Sequence, residues 1–176
     1  MDREKNVRPL AMGLTVLGAL VRLAPHAPNF APVGGMSLYA GARLRGWQAF
    51  ALPLILMAVT DPLLGGYSFA TPFVYLSFMI NVWIGRRLQT TASPLPIGAA
   101  CLACSLQFFL ISNFATWLGT GLYPHTLAGL GTAYVAAIPF FGRTLAADLL
   151  YGGALFGLHA WLSRSISTAE RVPATA

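Results

Sequence analysis

Charge is what this sequence has least of. Asp, Glu, Lys and Arg make up 9% of its 176 residues, against about 25% in a typical soluble domain. Hydrophobic residues reach 56%. A chain so poor in charge cannot cover a surface that faces water, which argues against a soluble enzyme domain. A bilayer removes that need, because the outer surface then faces lipid. The formal net charge is +6, but nucleic acid requires basic residues clustered on one face. Here the 11 basic residues stand in ones, twos and threes between apolar blocks. That pattern excludes nucleic acid as a partner and matches the loop charges that orient membrane proteins.

The signatures of catalysis are missing as well. There is no Gly-rich phosphate loop with its Lys, no HExxH and no GxSxG. The two cysteines, Cys101 and Cys104, form a CxxC inside an apolar run. A zinc site needs four ligands and no second pair exists. A redox pair would need a thioredoxin-like context. Both cysteines therefore read as small helix-packing residues. His26, His125 and His159 do not share one helix face, and no spaced Asp/Glu cluster suggests a metal. The expectation is a protein that is not an enzyme and holds no cofactor or metal. An energy-coupling ATPase would have to be another chain.

What is present is a succession of apolar segments. A spanning helix needs roughly 20 apolar residues, fewer if neighbours shield it. The sequence predicts an all-α polytopic bundle of about six spans, at 9–23, 30–44, 47–64, 71–84, 95–118 and 144–162. Residues 2–8 are charged enough to resemble the start of a signal peptide, but no cleavage site follows, so 9–23 reads as a retained span. Pro25 and Pro28 stop it. The second segment is short and contains Gly34 and Gly35, so it should lie inside the bundle or span only in part. Gly65 and Gly66 end the third. Residues 127–141 are apolar but interrupted, which predicts a helix at the interface or folded back into the bundle, with a seventh span as the alternative.

The basic residues set the orientation. With the N-terminus in the cytoplasm, the inside receives Arg3, Lys5, Arg8, Arg43, Arg45, Arg86, Arg87, Arg164 and Arg171. The outside receives Arg22 and Arg143. Nine against two is a strong positive-inside bias, and a seventh span would weaken it. The organisation expected is a cytoplasmic segment 1–8, one transmembrane domain 9–163 and a flexible cytoplasmic tail 164–176, in a multi-pass protein of the bacterial cytoplasmic membrane.

Ionisable groups inside a bilayer are costly and mark a function or a partner. In this orientation the rare ones gather at the outer side: Arg22, His26, Asn29, Asp61, Asn113, His125, Arg143 and Asp148. Asn81 and Gln107 are milder groups nearer the middle. Arg143 and Asp148 are five apart and project on different faces of one helix, so they should bond across helices. The two acids and two arginines would then either hold the fold as buried pairs or converge on a ligand. Phe30, Tyr67, Phe69, Trp117 and Tyr123 crowd the same side, as an interfacial belt or as the wall of a small-ligand site. Ala11, Thr15 and Ala19, four apart, make a small-residue stripe for packing within the chain or for docking to a partner.

Several strings resemble a widespread bacterial family of uncharacterised integral membrane proteins: RLAPHAPNFAPVG at 22–34, Thr60-Asp61, YLSF at 75–78, NFATWL at 113–118, Tyr123-Pro124, and AAIPFF at 136–141 with Asp148. In size and span count the chain is also similar to the substrate-binding subunits of energy-coupling-factor vitamin transporters. That resemblance implies six spans, capture of a vitamin-like compound at the outer face, and docking to a transmembrane coupling subunit through the stripe Ala11, Thr15 and Ala19. The expected function is a substrate-binding or transport subunit for a small polar organic compound. Its ligand would sit among Arg22, His26, Asn29, Asp61, Asn113, Trp117, Tyr123, His125, Arg143 and Asp148. The alternative is a structural or accessory subunit of a larger membrane complex. An outward cavity of about 300 Å³ or more favours the first; full pairing of Arg22 and Arg143 with Asp61 and Asp148 favours the second.

Overall fold

A computed structural model of the chain describes residues 2–89, 91 and 93–169, with side chains from Arg8 to Ile166. Its elements are α1 (Asp2–Val21), α2 (Val33–Arg43), α3 (Gln48–Thr60), α4 (Thr71–Gly85), α5 (Pro94–Gly119) and α6 (Leu127–Ala169). Short 3₁₀ turns extend α3 over Asp61–Leu64 and α4 over Arg86–Leu88. No strand occurs among the described residues, so the chain is all-helical.

Local sequence sets most of the boundaries. Proline in the first turn lacks an N–H that would be unsatisfied there anyway, and α4 and α5 both begin with one. The chain leaves the turn after α3 through Gly65 and Gly66, with φ of 121° and 84°. A side chain rarely tolerates those angles. The Gly66 N–H donates back to the Asp61 carbonyl at 2.8 Å.

The centre of the bundle is α2. Ten of its eleven residues, Val33 to Ala42, are buried, and it touches α1, α3, α4, α5 and α6. At 1.5 Å per residue it is about 16 Å long, half the thickness of a hydrocarbon core. Its interior position is the one its short length and glycine pair predict. Glycines make the approach possible. A Cβ at Gly41 would overlap the Val82 carbonyl of α4, and one at Gly85 the Leu38 carbonyl of α2. A Cβ at Gly35 would run into the backbone of α6 at Gly152.

Three boundaries differ from expectation. First, 127–141 is not a separate helix: it runs unbroken into the last segment, giving a helix of 43 residues with Pro139 inside. Packing explains the continuity. The Tyr134 hydroxyl donates to the Leu110 carbonyl of α5 at 2.9 Å, and Phe109 of α5 meets both Tyr134 and Phe141. Aromatic contacts on either side of Pro139 thus hold the helix in register against α5. Second, α1 begins at Asp2, so the charged segment 1–8 is helical from its second residue. Third, helix continues through 164–169 of the expected tail; the remainder, 170–176, lies outside the described residues.

Two helices, α5 and residues Leu127–Ile166 of α6, are long and apolar enough to cross a membrane. In their most apolar windows only 28% and 22% of the residues are buried. A core helix of a soluble protein would be mostly enclosed, whereas these expose Leu102, Leu106, Leu110, Val135, Ile138 and Leu150.

The close approach of α2 to α4 makes Gly41→Ala destabilising by about 1–3 kcal/mol, the usual cost of forcing atoms into a packed interior. Gly98→Ala in α5, with nothing within 4 Å of the added methyl, should leave stability unchanged or raise it by up to ~1 kcal/mol through helix propensity. Thermal denaturation of the two purified variants in mild detergent checks the contrast.

Candidate functional site

Three helix ends are tied together by one ion pair. Arg22 follows α1 directly, and its guanidinium lies 2.6 Å from the Asp61 carboxyl at the end of α3. A second nitrogen donates to the Thr60 hydroxyl at 2.7 Å. The Tyr75 hydroxyl of α4 donates to the other oxygen of Asp61, also at 2.7 Å. The two charged side chains are 16% and 10% exposed, so the pair is largely withdrawn from solvent. Removing one member of such a pair strands the other.

A second acid lies deeper. Asp148 of α6 is 3% exposed. The Ser105 hydroxyl donates to it at 2.6 Å, and its carboxyl lies against Gly34 at the start of α2. Asp148 therefore faces the start of α2 from across the bundle, where unpaired N–H groups and the helix dipole favour an acid. Glycine at position 34 is required, since a Cβ there would collide with the Asp148 carboxyl. No cationic side chain pairs with Asp148 among the described residues.

Between Arg22 and Asp148 lies a cavity of about 200 Å³. Its polar lining is Arg22, Asn29, Asn81, Thr144 and Asp148; Val74, Phe78 and Phe108 supply apolar wall. The Phe78 and Phe108 rings stack at 5.3 Å between centroids and 25° between planes. Asn81 is 0% exposed. Its oxygen accepts from the Gln107 amide at 2.7 Å, and the same Gln107 nitrogen donates to the Ser77 carbonyl at 3.0 Å. The Asn81 amide nitrogen has no partner. The Gln107 amide oxygen beside it is unpaired as well, and a buried polar atom left without a partner costs more than a hydrogen bond normally returns.

Residues 3–171 match DUF6580, a family of unknown function. The chain belongs to this family. No curated protein and no solved structure matches it. Membership in DUF6580 brings no activity with it, so the chemistry must come from the site.

The cavity gathers Arg22, Asn29 and Asp148 from the residues singled out in the sequence, with Asp61 directly behind Arg22. The others lie elsewhere. His26 is exposed and bonds the Ala24 carbonyl within its own loop at 2.7 Å. The Asn113 amide donates to the Phe109 carbonyl of its own helix. Trp117 donates to the Pro124 carbonyl at 2.9 Å, and a ring nitrogen of His125 lies 3.1 Å from the Trp117 carbonyl. With half-buried Tyr123 these residues belong to the α5–α6 connection. Arg143 is exposed, and no ion pair to Asp148 forms. Thr144 and Asp148, one turn apart, both face the cavity, while Arg143 is turned about 100° away from Thr144. The stripe Ala11, Thr15 and Ala19 is 0%, 0% and 3% exposed, so it packs within the chain and leaves no face for a partner there.

Sequence reasoning missed Thr144, Ser105, Tyr75 and the Phe78/Phe108 wall. It noticed Asn81 and Gln107 without joining them. Their signal was two isolated amides in apolar helices, which must find partners in each other or in a ligand.

Arg22→Gln should destabilise the protein by about 3–5 kcal/mol, because it leaves Asp61 buried without its cation. The double variant Arg22→Gln/Asp61→Asn should recover part of that loss. A double-mutant cycle on denaturation midpoints measures the coupling.

Proposed function

We propose that this chain is an integral membrane protein with six membrane-crossing segments and both ends in the cytoplasm of a bacterium. We further propose that it captures a small polar organic compound at the outer face of the cytoplasmic membrane. It would act as the substrate-binding or transport subunit of a system whose coupling subunit and ATPases are other chains. The exposed apolar surfaces of α5 and α6 support a lipid environment. The nine-to-two distribution of basic residues supports the orientation. In this frame α2, too short to cross alone, is shielded from lipid on all sides, as a partial span must be. Helix α6, about 64 Å long, crosses with roughly half its length to spare. Its first turns therefore continue beyond the hydrocarbon beside the end of α5.

The observation that carries the binding reading is the cavity itself. It has an apolar wall and a few converging polar groups, the composition of small-ligand sites, and an unsatisfied amide lines it. The accessory-subunit reading draws on a different observation: Arg22 is fully engaged with Asp61 and Thr60, as architecture would require. The cavity is also smaller than the roughly 300 Å³ at which drug-sized pockets begin. These facts reduce the size of the compound without removing the site.

Two measurements test the proposal. With the orientation given, Ser68→Cys in the α3–α4 connection should react with an impermeant maleimide added to intact cells. Trp47→Cys in the α2–α3 connection should react only after permeabilisation, and the reverse pattern would invert the topology. Native mass spectrometry of the protein in mild detergent should show a bound small metabolite that Asn81→Leu removes. Stable partner membrane proteins with no metabolite would favour the accessory role.

A further inference from the structure

The two buried acids differ in one respect. Asp61 has a cation, Arg22, at 2.6 Å. Asp148 is more deeply buried; its carboxyl accepts from the neutral Ser105 hydroxyl and lies against Gly34, with no cationic side chain paired to it among the described residues. A buried carboxyl is held as an anion where a positive charge answers it and otherwise takes up a proton. The start of α2 contributes a partial charge of about half a unit, which leaves the remainder unmatched. Neither nearby arginine supplies it: Arg22 is committed to Asp61, and Arg143 is exposed on another face of α6. The unmatched acid is not sealed in the core but lines the cavity. The missing charge therefore has somewhere to sit.

Size and shape narrow the occupant. A cavity of about 150 Å³ holds benzene, so about 200 Å³ accepts one ring with a short substituent. Phe78 offers a flat wall stacked on Phe108, suited to a ring and, by its π-face, to a cation. The Asn81 amide, fully buried and without an acceptor, asks for a carbonyl oxygen or ring nitrogen on the same molecule.

We infer that the cavity binds a small organic cation, a single ring bearing a protonated amine or amidine that pairs with Asp148 and an acceptor that meets the Asn81 amide. This deepens the binding reading proposed above and rests on it. Asp148 is the specificity-determining group, and the Arg22–Asp61 pair closes the neighbouring wall without contributing net charge.

Three ring compounds of closely similar size separate the possibilities: benzylamine, which is cationic at pH 7, neutral benzamide and anionic benzoate. Isothermal titration of the full-length protein in mild detergent should show benzylamine binding at least about tenfold more tightly than either of the others. Asp148→Asn should abolish that preference. The wild-type comparison alone decides the charge class, should the variant fold poorly. Equal or tighter binding of benzamide or benzoate would overturn the inference while leaving a small-molecule site in place. Binding of none of the three would overturn both the inference and the binding reading beneath it.

Discussion

The backbone approach of α2 to α4 and α6 is the constraint on which the rest of this structure depends. Helices can come this close only where one surface lacks side chains, and Gly35, Gly41, Gly85 and Gly152 provide the gaps. The consequence is a short helix wrapped by the five others, with its start held in the interior. That start would expose unpaired N–H groups to an apolar environment. The Asp148 carboxyl of α6 lies at that start, and the absence of a side chain at Gly34 leaves room for it. Packing and polar satisfaction are thus one arrangement. The cavity forms because α2 begins well inside the bundle, so its neighbours stand apart above it.

The elements of the fold were largely legible in the sequence because apolar runs and their breakers are local signals. Pro25 and Pro28, Gly65 and Gly66, and Arg86 and Arg87 each stand where a helix stops. The interruptions within 127–141, Pro139 among them, were the exception. They look like breakers, yet α6 passes through them, held by Tyr134 and Phe141 against Phe109. That contact joins residues about 25 to 32 apart in the chain, and no local pattern reports it.

The candidate site was legible in a different way. Rarity picked out Arg22, Asp61 and Asp148, since an ionisable residue in an apolar helix needs a reason. Rarity could not say which of them meet. Helix phase, which is computable, rightly kept Arg143 and Asp148 from pairing with each other, but the meeting of Asp148 with Ser105 depends on how α5 and α6 pack around α2. His26, Asn113, Trp117 and His125 satisfy themselves within one loop or one helix turn, as polar residues near chain reversals often do. A residue that finds its partner locally has no vacancy for a ligand. Asn81 differs because its amide nitrogen has no partner.

Helix α6 has one further property. It runs from Leu127 to Ala169 without a break, and Asp148 lies well inside it. The Phe109 contacts with Tyr134 and Phe141, and the Ser105 hydroxyl on Asp148, join α6 to α5 at points spread from Tyr134 to Asp148. The cavity wall that Phe108 and Asp148 share is therefore set by how these two helices lie against each other.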